Sequence, residues 1–522
     1  PLKITVVVVS ILVVVLCYFL FSNFLRDRDI AAAKKLQAVA TRQLATGNYS
    51  KAIESYKESI NLYPLNVEAY SDLGTCYQTL KQYPAAIEAY KQAIKIDSDY
   101  IVAIGALGSV YFLQGRYEEA ISVYQDLVKR SPYDTKAHHT LGLVYAKLKR
   151  YEEAIGEFKQ AIEIDPKYQL AYNNLGAMYI DCGQTEKAIE PLQMAVKLKP
   201  DDAKALNNLG LVYRDLGRYK EAVEYYTKSL DSDNNNAALY CELGFAHEES
   251  GRNKEALEAY LNAIRIDPNY VEAYNNLGYL YIDLERYEDA KKSFREAIRI
   301  DPNQDGSHIT LAIIYTTLGN YEKAIEHYKE AIAVEPNNIE IYISLGLALG
   351  NSHRREEAIA VYKQATEIDP NCSKAYFWLG FYYRDLGRHT EAIEAYKQAI
   401  RIKPDYIEAH HWLGITYSDL GHYEEAIKAQ KQVITLKSDY SDAYYWLGSA
   451  LYQSGRPKEA IEAFNQAIAV DPNHIRSYVN LGIIYYSLNS YEDAIAANLR
   501  AIEIDSNDAF VYNGLGAAYV KV

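Results

Sequence analysis

From residue 33 onward the apolar positions recur at spacings of three and four, the period of a helix with one buried face. That pattern itself recurs. In "AYNNLGYLYIDLERYEDAKKSFREAIRIDPN", from Ala273, two amphipathic stretches flank a short polar break, which predicts two helices joined by a turn. The dipeptide Leu-Gly marks the unit, at Leu73-Gly74, Leu107-Gly108, Leu141-Gly142 and so on to Leu515-Gly516, always 34 residues apart; Leu311-Ala312 fills the one gap. A fixed period without insertions predicts a solenoid of helix pairs. A glycine follows the first helix in many units (Gly115, Gly183, Gly217, Gly387, Gly455), where a left-handed cap suits it. Asp-Pro closes the second helix, as at Asp165-Pro166, Asp267-Pro268 and Asp471-Pro472.

Ahead of the repeats the pattern changes. Residues 4–25, "ITVVVVSILVVVLCYFLFSNFL", carry no charge. As a helix they reach about 33 Å, against about 30 Å for a bilayer core, so a single-pass membrane anchor is expected. A cleaved signal peptide fits less well, because the small residues at 31–33 lie far downstream. Arg26, Arg28, Lys34 and Lys35 after the run, against Lys3 before it, point the array to the cytoplasm, with the extracytoplasmic side as the alternative. The expected organisation is a hydrophobic segment and short juxtamembrane stretch (1–32), fourteen repeats (33–508), and the first helix of an incomplete fifteenth (509–522).

The repeat resembles the tetratricopeptide-repeat family. In the unit from Val271 the matching residues are Tyr274, Leu277, Gly278, Tyr281, Ala290, Phe294, Ala297 and Pro302. The resemblance runs from residue 33 to 522. It implies an all-α, right-handed superhelix of helix pairs whose concave face binds peptides or other proteins. Departures are Val39-Ala40 in place of Leu-Gly, Pro84 and Pro457 near helix starts, and Pro191 inside a second helix, where a lost donor and a kink are expected.

With the unit numbered from its first helix, positions 4, 7, 8 and 11 fall on one side and pack. Positions 2, 5, 6, 9 and 13 fall opposite, the side that lines the groove in the family. Three features stand there. Position 6 holds all three tryptophans, Trp378, Trp412 and Trp446, beside Phe377, His411 and Tyr445 at position 5. Such a ladder either anchors a partner or packs along itself to stiffen the array. Position 6 is asparagine at Asn174, Asn208, Asn276 and Asn480, interrupted by Glu242, Thr310 and Ser344. This is similar to the asparagine ladder of O-linked N-acetylglucosamine transferase, which would imply backbone-directed peptide binding, although asparagine is also ordinary here in the family. Position 13 is acidic at Asp181, Asp215, Glu249, Asp283, Asp385 and Asp419. An acid near a helix C-terminus needs compensation. Local arginines three residues on (Arg218, Arg252, Arg286, Arg388) would supply it, or a basic peptide would.

Charge and composition narrow the partners. With 55 basic and 69 acidic residues the net charge is −14, which argues against nucleic acid. The 51 tyrosines fit a fixed repeat position. The five cysteines show no metal or disulfide spacing, and no nucleophile–base pair, phosphate loop or HExxH motif is present. No cofactor and no catalysis are expected. The leading expectation is a membrane-tethered scaffold for proteins or peptides. The alternatives are a self-associating array, a homo-oligomer or filament formed through the repeat ends, and a substrate-reading arm of a transferase whose catalytic domain lies elsewhere. The half-unit "AFVYNGLGAAYVKV" favours further chain beyond it or a covering surface.

Overall fold

The computed structural model describes residues 2–506 and 509–522, with side chains from residue 15 onward. Among them are 29 helices and no strand. The helices form two compact units, residues 1–273 and 274–522. Each unit is a run of helix pairs, a 13-residue first helix such as Ala203–Asp215 and a 14-residue second helix such as Tyr219–Ser232.

Small residues let the two helices of a pair close on each other. Ala at position 20 of the second helix is fully buried in every full repeat, from Ala52 to Ala494. At position 8 of the first helix, glycine receives the side chain at position 24. A Cβ on Gly74 would stand 2.6 Å from Tyr90 Cε1, and one on Gly142 would stand 2.8 Å from Phe158 Cε1. The partner is therefore the residue sixteen positions on, usually aromatic (Leu192, Gln430 and Asn498 are the exceptions) and fully buried in Tyr90, Phe158, Tyr226 and Tyr260.

The turn between the helices is a Schellman cap. The Gly115 N–H donates to the Phe112 carbonyl at 3.0 Å and the Arg116 N–H to the Tyr111 carbonyl at 2.9 Å, which closes the open carbonyls of the first helix. Gly115 is left-handed, with φ +73°. Lys81, Lys149, Glu285, His353 and Asn489 hold the same place with φ of 57–63°, so the turn persists where glycine is absent. The helix Thr185–Leu198 runs as one element through Pro191, and Pro84 and Pro457 lie in first turns.

The membrane expectation is corrected. Among the described residues no helix is long and apolar enough to cross a membrane. The leader and the first repeat helix are one continuous helix, Leu2–Ala45. Arg26, Asp27, Arg28 and Asp29 follow the apolar run on the same helix. The side chains at positions 4–14 of the expected span lie outside the described residues. The far end of this helix packs into the first repeat, where Ala33 and Ala40 are fully buried and the Ser59 hydroxyl donates to the Ala33 carbonyl at 2.8 Å.

Candidate functional site

In the second unit, the first helices Ser373–Asp385, Ile407–Asp419 and Ser441–Gln453 carry the three tryptophans, each half-buried. They do not form one ladder. Trp378 meets Phe381 edge to face, 5.5 Å between ring centres at 74°, and Phe381 meets Trp412 at 5.4 Å and 85°. Phe381, half-buried at position 9, thus joins two consecutive repeats. Trp446 stands apart, with a ring contact among the described residues only to Tyr445, 5.4 Å away on its own helix.

A cation completes the row. The Arg384 guanidinium lies 5.2 Å from the Trp412 ring centre. Its Nε and Nη2 donate to Asp419 Oδ2 at 3.0 and 2.7 Å. A carboxylate therefore fixes the guanidinium plane over the indole. The result is a continuous strip of indole, phenyl, indole and guanidinium, suited to an apolar or aromatic side chain flanked by polar backbone.

The position-5 residues lie deeper than a single helix wheel suggests. Phe377 is 7% exposed and packs against Tyr396 and Tyr406, with ring centres 6.0 and 5.2 Å away. His411 is 6% exposed, its Nδ1 3.1 Å from the Gln430 amide oxygen, and burial holds its imidazole below the ordinary value. These two are packing residues between pairs. Tyr445 is half-buried against Phe464 and His474.

In the first unit, the asparagines spend donors on the preceding repeat. The Asn174 amide donates to His139 Nε2 at 2.8 Å, and the Asn208 amide donates to Asn173 Oδ1 at 3.0 Å. Burial holds His139 below its ordinary value, consistent with an accepting, neutral ring. In the second unit, Asn276 is half-buried, and Asn480 turns back to the Arg476 carbonyl of its own helix at 2.9 Å.

The position-13 acids Asp181, Asp215 and Asp283 are exposed. Their expected pairing with the arginine three residues on is corrected. Arg218 pairs forward with Glu221 at 2.6 Å, Arg286 with Asp289 at 2.7 Å and Arg388 with Glu391 at 2.8 Å. Each of these arginines also lies over the position-11 tyrosine, as Arg218 does 4.6 Å from the Tyr213 ring centre. The acids find partners elsewhere: Asp215 with Arg214 at 2.7 Å, Asp385 with Arg355, and Asp419 with Arg384. Phe381 and Arg384 were not singled out in the sequence. The available signal was their spacing, three and six residues after Trp378, which brings Phe381 onto the same helix face.

Family profiles for tetratricopeptide repeats match residues 67–100, 312–352, 339–372, 361–394, 382–421, 413–475 and 450–509. The profile of the cilia and flagella-associated protein 70 C-terminal domain matches residues 100–312. The chain belongs to the tetratricopeptide-repeat family. Among solved structures it is similar to YrrB, described as a TPR protein with an unusual peptide-binding site, at 25% identity over 36% of this chain and 97% of that one, with a TM-score of 0.33. It is also similar to MamA, at 27% identity over 33% and 94%, TM-score 0.31, and to PilF of Pseudomonas aeruginosa, at 25% over 40% and 94%, TM-score 0.34. A search of curated proteins finds no match to the chain.

Proposed function

We propose that the chain is a protein-interaction scaffold and that the strip formed by Trp378, Phe381, Trp412 and Arg384 holds an extended segment of a partner protein. The family fold supports the scaffold. The observation that carries the location is the edge-to-face row joining two repeats on the side of the first helices that bears positions 6 and 9. Half-buried indoles capped by a fixed guanidinium offer large, rigid contact area at small entropic cost, the usual property of an interface anchor. Trp446 extends the reach by one repeat. The exposed Asp283 of the same unit favours a partner segment with basic residues.

Selection of peptides from a random library on the full chain tests this reading. Selected peptides should lose at least tenfold in affinity for the Trp378→Ala/Trp412→Ala variant. Unchanged affinity for that variant rules out the strip as the binding site.

A further inference from the structure

Position 21 of the second helix is Ile, Val or Leu in every full repeat except one, where it is Lys291. Lys291 remains in that core slot, 9% exposed, its stem replacing the aliphatic side chain and its Nζ reaching Glu288 Oε1 at 2.6 Å. The next repeat departs from its register three more times. Lys323 stands where most repeats carry Glu or Asp, His327 where Ala is commonest, and His308 where Tyr is commonest.

Three of the four departures converge on one ring, and His308 reaches it only through His327. The ring belongs to Tyr315, 2% exposed, on Asp305–Thr317, with side chains from Tyr287–Ile300 and Tyr321–Val334 set around it. Lys291 Nζ and Lys323 Nζ each lie 5.4 Å from its ring centre, and the Arg295 guanidinium lies at 5.9 Å and donates to its hydroxyl. His327 stacks flat on the ring, 5.7 Å away at 4°, with His308 Nδ1 3.1 Å from His327 Nδ1.

Three carboxylates border this cluster, and one of them is in an ion pair within it. Glu288 pairs with Lys291 from an exposed position. Glu326 and Glu330 are exposed on the third helix and act on His327 from the solvent side. Arg295 and Lys323 make no ion pair among the described residues. Three cations around one ring, Arg295 and Lys323 from exposed positions, disfavour a metal ion despite the two imidazoles. Three cationic donors exceed what the two oxygens of one carboxylate use well and match the three terminal oxygens of a phosphoryl group.

We infer that this cluster binds a phosphoryl dianion between Lys291, Arg295 and Lys323. It lies on the side of positions 4, 11 and 19–25, away from the tryptophan strip, and does not depend on the function proposed for that strip.

Calorimetric titration of the full chain tests it, with three probes at constant chloride: inorganic phosphate, a short phosphoserine peptide, and the same peptide unphosphorylated. The phosphorylated probes should bind and the unphosphorylated peptide should not. The Lys291→Ile/Lys323→Glu variant restores the residues usual at these repeat positions. It should melt no lower than the parent and bind phosphate at least tenfold more weakly. A phosphopeptide that binds tighter than inorganic phosphate makes a phosphorylated partner the source; equal binding makes it the free ion. Absence of binding by both phosphorylated probes, or equal binding by the double variant, overturns the inference.

Discussion

The ring of Tyr226 occupies the space that a side chain on Gly210 would need: a Cβ there would fall within 3.0 Å of three ring carbons. Tyr226 is fully buried and has nowhere to swing. Ala40 opposite Tyr56 and Ala312 opposite Tyr328 show that some pairs admit one methyl group. A branched side chain is different. Gly210→Leu should cost about 1–3 kcal/mol through overpacking. Because solenoid pairs couple mainly to neighbours, faster hydrogen exchange should be confined to the surrounding repeats of that unit. A uniform rise along the chain would contradict this.

Phe377 and Trp412 should separate packing from binding. Phe377→Ala removes a buried ring and should cost about 3–5 kcal/mol. Trp412→Ala removes a half-buried indole with two edge-to-face partners, Phe381 and His411, and one cation, interactions of about 0.5–1.5 kcal/mol per ring pair and about 0.5–1 kcal/mol for the cation. Urea denaturation of both variants checks the ranking, which equal losses would refute.

The left-handed cap predicts a stabilising change. Lys149 holds φ of 58° where other repeats have glycine. An L residue costs about 1–2 kcal/mol there, part of which glycine returns as added freedom in the unfolded chain. Lys149→Gly should raise stability by up to about 1 kcal/mol, measured as a shift of the denaturation midpoint. A lower midpoint would show that the lysine side chain contributes more than its backbone strain costs.

Stability should fall at both ends of the pH range. Burial pushes Tyr90 and Tyr124 up to about 12 from an ordinary 10.0. Their contribution is complete below pH 10 and is lost as pH rises toward 12, because the unfolded chain releases those protons first. Burial holds His139 and His411 below 6.5, so their contribution is complete above pH 6.5 and is lost as pH falls below it. Melting temperature across pH, read together with tyrosinate absorbance, checks the signs. Free titration of Tyr90 and Tyr124 in the folded chain near pH 10 would contradict the burial argument.

The period, the helix pairs and the glycine caps were legible because each is a local signal repeated at fixed spacing. The use of Gly210 was only half legible: its small size was readable, but its partner Tyr226 lies sixteen residues away on another helix. Phe377 and His411 were misplaced because a helix wheel describes one helix, whereas each pair is covered by neighbours on two sides. Arg218 and Arg388 pair forward across the start of the second helix, toward an acid three residues on, which a search for partners upstream missed. The hydrophobic run at 4–25 gave no hint that its helix continues without a break into the first repeat. Lys291 was legible only after the packing showed that position 21 belongs to the core.

Indole fluorescence tests the central claim most directly, because Trp378, Trp412 and Trp446 are the only tryptophans in the chain. A tryptophan-free peptide selected on the full chain should shift the emission in a saturable way. The same peptide should bind at least tenfold more weakly to the Trp378→Ala/Trp412→Ala variant and with unchanged affinity to Lys291→Ile. Saturable binding that leaves the emission unchanged, with equal affinity for the double variant, would place the partner site elsewhere on the array.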